Sequence, residues 1–251
     1  MAESALLICA KLAGLVYRNA REFRCECETL GLHVTRFVVV RNHVAAIARH
    51  PSIGFLVFRG TDDAQDWRDN IDTRWGRTPS GCVHRGFLRG LDLLWPELQD
   101  HLFTEAGRTW WVTGHSLGGA LATLAAMRMH ERAVQPWIAT FGQPPVGRIE
   151  FVWRYQRTLG QRHYRFVHGT DIVSDVPLLA HHVGRKLYIN GKGRLVEKSS
   201  FLVKVSDAMW RGWNGQAFGQ LANHRMQDYI TRLEGADLSV LLPTKATSNE
   251  R

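Results

Sequence analysis

The stretch Trp110-Trp111-Val112-Thr113-Gly114-His115-Ser116-Leu117-Gly118-Gly119-Ala120-Leu121-Ala122 decides how this chain is read. Its first four residues are large or β-branched and suit a buried strand. Its last residues are small and apolar and lead into an Ala- and Leu-rich run, which predicts a helix over Leu117 to His130. Only Gly-His-Ser-Leu-Gly is left to turn the strand into the helix. A turn that sharp strains the backbone at Ser116, and a Cβ two residues before or after it would collide. Gly114 and Gly118 remove those atoms. The turn exposes the Ser116 hydroxyl above the sheet edge and sets it at a helix N-terminus. Unpaired N–H groups and the helix dipole favour developing negative charge there. Ser116 is therefore the candidate nucleophile.

The rest of the chain predicts more alternation of strand and helix. Helices are expected over 5–17, 86–103 (with a kink or break at Pro96), 148–159 and 217–233. Val- and Ile-rich runs at 32–40 and 43–49 predict a hairpin. The apolar run 53–58 predicts a buried central strand, and 109–113, 137–141, 164–167 and 186–190 predict further strands. Strands alternating with helices argue for an α/β fold with a mostly parallel sheet covered on both faces. The strand–GxSxG–helix context makes that the α/β-hydrolase fold. With 251 residues, one domain is expected over 1–251, with a frayed polar tail from 243 to 251.

Composition narrows the partners. The net charge is +9, from 32 Lys and Arg against 23 Asp and Glu. The positive residues are scattered, with a mild cluster at Arg148, Arg154, Arg157, Arg162 and Arg165. No nucleic-acid motif accompanies them, so nucleic acid is not an expected partner. A basic surface would suit transient contact with anionic lipid. No apolar run approaches a membrane span, and the first residues lack the pattern of a secretory signal. That predicts a cytoplasmic protein or one exported by a non-classical route. Cys25-x-Cys27 without a matching pair predicts no metal site, and no cofactor is expected. Pairing of Cys25 or Cys27 with Cys82 stays open.

A serine nucleophile needs a base to take its proton and a carboxylate to orient that base, and this fold supplies them in the order Ser, Asp or Glu, His. Asp171 sits in the loop after the strand at 164–167 and is the first candidate acid, with Asp175 second. Three of the twelve histidines follow Asp171: His181, His182 and His224. Spacing does not choose among them. One oxyanion donor is expected to be the backbone N–H of Leu117, the other a group in the loop after 53–58, where Thr61 stands.

Five blocks resemble one known family. They are Val57-Phe58-Arg59-Gly60-Thr61, His84-Arg85-Gly86-Phe87, Val112 to Ala122, Thr140-Phe141-Gly142-Gln143-Pro144-Pro145-Val146-Gly147, and Asp171-Ile172-Val173. In this order they resemble the class 3 lipases, typified by fungal triacylglycerol lipases. The resemblance implies a Ser116–Asp171–His224 triad, with the His224 segment opening the last helix. It implies that Thr61 serves the oxyanion through its N–H and hydroxyl. Pro145 and Ser174 depart from the family, which usually has Arg and Pro there. The segment 62–77 places Ala64, Trp67, Ile71 and Trp75 at near-helical spacing. The resemblance implies a lid there, against the alternative of a surface helix packing its tryptophans inward.

The expected activity is thus cleavage of acylglycerol esters through an acyl-enzyme. The alternatives are a phospholipase A1, a short-chain or aromatic esterase, a non-catalytic scaffold and a toxin lipase.

Overall fold

Strand β3 (Ile53–Phe58) shows why the core has two sides. Successive side chains on a strand point to opposite faces. Phe55 and Val57 enter one buried cluster, and Leu56 and Phe58 enter the other. Both phenylalanines are fully buried, each contributing about 1.5–3 kcal/mol of transfer free energy. The same alternation runs through β2 (His43–Arg49), β6 (Thr109–His115) and β7 (Trp137–Phe141). A sheet apolar on both faces must be covered on both, as the sequence predicts.

The structure is a computed structural model, and it describes residues 2–61, 74–104, 107–168, 180–189, 195–196, 226–236 and 238. Among them, one eight-stranded sheet has the order β1-β2-β3-β6-β7-β8-β9-β10. β1 (His33–Val40) pairs antiparallel with β2, and β2 with β3. From β3 through β6, β7 and β8 (His163–His168) to β9 (Arg185–Ile189) every pairing is parallel. The short β10 (Leu195–Val196) closes antiparallel on β9. One face carries α1 (Ala2–Leu15), α2 (Ala20–Thr29) and, from the far end of the chain, α6 (Met226–Glu234). The other carries α3 (Arg85–Phe103), α4 (Leu117–His130) and α5 (Ile149–Thr158). Helix α4 is buried from Gly118 to Met127, which accounts for its lack of a polar face.

Several expectations are corrected. Helix α3 runs unbroken through Pro96. One missing N–H does not end it, because Leu91, Leu94, Leu98 and Leu102 pack into the core on both sides of the proline. The helix expected over 62–77 does not include its last residues. Trp75–Thr78 forms β4, which pairs antiparallel with β5 (Gly81–His84) in a separate hairpin. Residues 62–73, with Trp67 and Ile71, lie outside the described residues, as do 217–225 and the tail at 243–251. Helix α2, the β4–β5 hairpin and β10 were not read from the sequence. All four cysteines are free thiols. Burial pushes the Cys27 thiol up to about 12 and raises that of Cys9 further.

Candidate active site

Ser116 stands between β6 and α4 with φ 56° and ψ −127°. A non-glycine residue at positive φ is uncommon and is held only where its surroundings over-determine it. Three contacts do so here. The Ser116 N–H donates to the Phe141 carbonyl at 2.9 Å, fastening the turn to the end of β7. At Gly114, a Cβ would lie 2.3 Å from the Gly118 carbonyl oxygen. At Gly118, one would lie 2.2 Å from the Phe58 carbonyl oxygen. Both obstacles are backbone and cannot rotate away, so the two glycines the sequence reading singled out are sterically required.

A third close approach was not anticipated. A Cβ on Gly60 would lie 3.3 Å from Ser116 Cβ, 2.6 Å from the His115 carbonyl oxygen and 2.3 Å from the Tyr17 hydroxyl. The loop leaving β3 therefore passes directly over the serine. Thr61 follows, and its Oγ1 is buried with no hydrogen-bond partner among the described residues. Ser116 Oγ is in the same state, in a residue 1% exposed, so the hydroxyl is buried rather than exposed as the sequence predicts. Buried hydroxyls normally find partners, because an unpaired one costs about 1–3 kcal/mol. Two of them on neighbouring loops mark a site that keeps its hydrogen-bonding capacity for something else. At the same place, Gly119 N–H donates back to the Ser116 carbonyl. The N–H groups of Leu117 and Gly118 precede the first intrahelical bond of α4, so the helix supplies them no carbonyl.

His115 is a packing and hydrogen-bonding residue. Its Nδ1 is 3.0 Å from the Tyr17 hydroxyl, and its ring meets Tyr229 of α6 edge-on at 6.2 Å. Tyr229 also meets Phe141 edge-on at 5.8 Å. The first turn of α6 is thereby fixed against the strand ends that flank Ser116. Asp171, Asp175 and His224 lie outside the described residues. β8 ends at His168 beside β7, whose Phe141 holds Ser116, and α6 opens at Met226. His182 is half-buried in the segment entering β9.

Beneath the turn runs a buried polar chain that the sequence reading missed. The Tyr155 hydroxyl lies 3.0 Å from His163 Nδ1, and His163 Nε2 stands 2.9 Å from Thr140 Oγ1. Thr140 Oγ1 donates to Gln143 Oε1 at 2.7 Å, and Thr123 Oγ1 lies 3.0 Å from the same oxygen. Desolvation, then Arg165 and His182, hold the His163 pKa well below its usual value. A neutral ring with its proton on Nε2 satisfies every member. Gln143 also touches the turn, since a Cβ on Gly119 would lie 3.1 Å from Gln143 Cβ. The block 140–147 contained these residues, but nothing in its spacing revealed a partner as distant as His163.

The comparisons bear directly on this geometry. The sequence profile described as Lipase (class 3) matches residues 55–181, half of the chain, from the strand before Thr61 through the serine turn. The chain belongs to the class 3 lipases. Among relatives of this lipase family, a Caenorhabditis elegans lipase is 32% identical over 166 residues, covering 62% of this chain and 44% of its own length. A secreted mono- and diacylglycerol lipase of Fusarium solani is 30% identical over 167 residues, covering 60% and 48%. Among solved structures, lipase II from Rhizopus niveus superposes with a TM-score of 0.66 at 25% identity, covering 75% of this class 3 lipase chain and 80% of that one. The α/β-hydrolase fold expected from the serine turn is thereby established. The chain spans about half the length of these two curated relatives.

Proposed function

We propose that this chain is a serine ester hydrolase that cleaves acylglycerol esters, with Ser116 as nucleophile, His224 as base, Asp171 as the acid that orients it, and Thr61 and Leu117 as oxyanion donors. The observation that carries the reading is the Ser116 turn: a strained, buried serine with an uncommitted hydroxyl at the N-terminus of α4, under the Gly60–Thr61 loop. The sequence resemblance favours His224 over His182, and the anchoring of α6, which opens two residues after position 224, against His115 and Phe141 agrees with it.

The chemistry follows from these parts. His224 takes the Ser116 proton as Oγ attacks the ester carbonyl carbon, and the π-bond electrons move onto oxygen. The N–H groups of Leu117 and Thr61, with the Thr61 hydroxyl, receive that charge at a helix N-terminus. Collapse expels the alcohol, protonated by His224, and leaves an acyl-serine. Water, deprotonated by the same imidazole, releases the fatty acid and restores the serine. The relatives are lipases by name, and one acts on mono- and diacylglycerol, which supports acylglycerol as the substrate class.

A hydrolysis panel tests this. Monomeric p-nitrophenyl esters, emulsified mono-, di- and triacylglycerols and a phospholipid are given to the purified chain with fatty-acid release recorded. Release from acylglycerols, absent in Ser116→Ala, is the expected result. Release from phospholipid alone would transfer the reading to a phospholipase A1, and no release from any ester would remove it.

A further inference from the structure

Helix α5 turns its buried side inward through Phe151 and Tyr155. Its outward side is unlike that of any other described helix. Ile149 and Trp153, four residues apart and so on one face, are 50% and 66% exposed. Arg157 is one turn further along the same line. Arg148 stands at the N-cap and Arg154 beside Trp153, and the single acidic residue of the helix is Glu150. The basic cluster seen in the sequence divides here. Arg165 is buried, and Arg162 is laid over the Trp137 ring at 4.7 Å. Arg157 has no acidic partner among the described residues, and Arg154 spends one guanidinium nitrogen on the Pro79 carbonyl.

From this arrangement we infer that the outer face of α5 is a docking surface for anionic lipid bilayers, with Trp153 and Ile149 entering the headgroup region and Arg154 and Arg157 meeting lipid phosphates. Tryptophan is favoured at that depth because its ring is apolar and its N–H can stay wet. Arginines around an apolar anchor add electrostatic attraction to an anionic leaflet. The sign of the partner follows from charge: the helix face is basic, and the chain carries +9. The Arg148 guanidinium lies 5.4 Å over the Trp75 ring, so the first turn of α5 sits against the strand that follows residues 62–73. The inference rests on the lipid-substrate reading, which it deepens by assigning the surface that holds the enzyme on its substrate.

The full chain is tested by flotation with vesicles of phosphatidylcholine alone and of phosphatidylcholine mixed with phosphatidylglycerol. Wild type is expected to float with the mixed vesicles and to be released by high salt. Ile149→Ser with Trp153→Ala should reduce partition about tenfold. Arg154→Gln with Arg157→Gln should reduce it roughly 25-fold, about fivefold per arginine. Both double variants should keep wild-type turnover of a monomeric ester, which shows that they fold. Variants that float as wild type does would overturn the inference. So would wild-type binding indifferent to phosphatidylglycerol, or a Trp153-dependent dimer that ignores vesicles. Flotation that depends on Trp153 in a chain that hydrolyses no acylglycerol would support the docking surface while removing the substrate reading.

Discussion

Ser116 holds a backbone conformation that costs on the order of 1–3 kcal/mol, and neighbouring atoms keep it there. Its two glycine flanks test that directly. Gly118→Ala places a methyl 2.2 Å from the Phe58 carbonyl oxygen. It is expected to lower stability by about 3 kcal/mol or more, read as a shift in the denaturant midpoint. Ser116→Ala removes only an oxygen without a partner among the described residues. It should leave the midpoint nearly unchanged while lowering kcat by at least ~10⁴-fold. Thr61→Ala should lower kcat by about 10²–10³-fold with a small effect on stability. A Thr61→Ala variant with full kcat would return Thr61 to the role of a simple loop residue.

Elements carry the next set of expectations, and they separate what the sequence made legible from what it did not. The serine turn was legible because its determinants are consecutive: strand, two glycines and helix are adjacent in the chain, so Leu117–His130 was bounded from local pattern alone. The strand at 53–58 was legible for the same reason. The hairpin at 75–84 was not, because Trp75 continues the helical spacing of Trp67 and Ile71 in the sequence. What makes Trp75 a strand residue is its pairing with His84, nine positions away. The polar chain from Tyr155 to Gln143 was hidden for a stronger form of that reason, since it joins α5, β8, β7 and α4. Thr140→Val would strand His163 Nε2 and leave Gln143 Oε1 with Thr123 alone, and should cost about 1–3 kcal/mol in thermal or chemical unfolding. The chain also sets a pH dependence. Folding lowers the His163 pKa below the ordinary 6.5, so below that pH the unfolded chain binds a proton that the folded one refuses. Stability is then present above about pH 6.5 and falls as the pH drops, by up to about 1.4 kcal/mol per unit until the folded pKa is reached. Half-buried His43, its pKa also lowered by desolvation, adds to the same slope. Melting temperatures of wild type and His163→Gln, compared across that range, should show a shallower acid slope in the variant.

At the scale of the molecule, the sheet order brings the two ends of the chain together. Helices α1 and α6 share one face, and Gly14 lies close enough for a Cβ to meet Ile230 and Met226 at 3.1 and 3.4 Å. Lys11 and Glu234 form an exposed ion pair across the same contact, worth at most about 1 kcal/mol. Tyr17, in the turn just after α1, and Tyr229 of α6 both reach His115, so the two ends of the described chain brace the serine turn from one side while α4 leaves it on the other. No described helix is long and apolar enough to cross a membrane. The basic charge is partly accounted for by packing: Arg49, Arg128, Arg132, Arg148, Arg162 and Arg185 each lie over an aromatic ring. The proposed function has one direct chemical consequence, the reactivity of Ser116. The most direct measurement is labelling of the purified chain with a fluorophosphonate, followed by intact mass and peptide mapping. The account expects a single adduct, on Ser116, formed in step with loss of ester hydrolysis and absent from Ser116→Ala. An unlabelled Ser116, or hydrolysis that survives its complete modification, would contradict it.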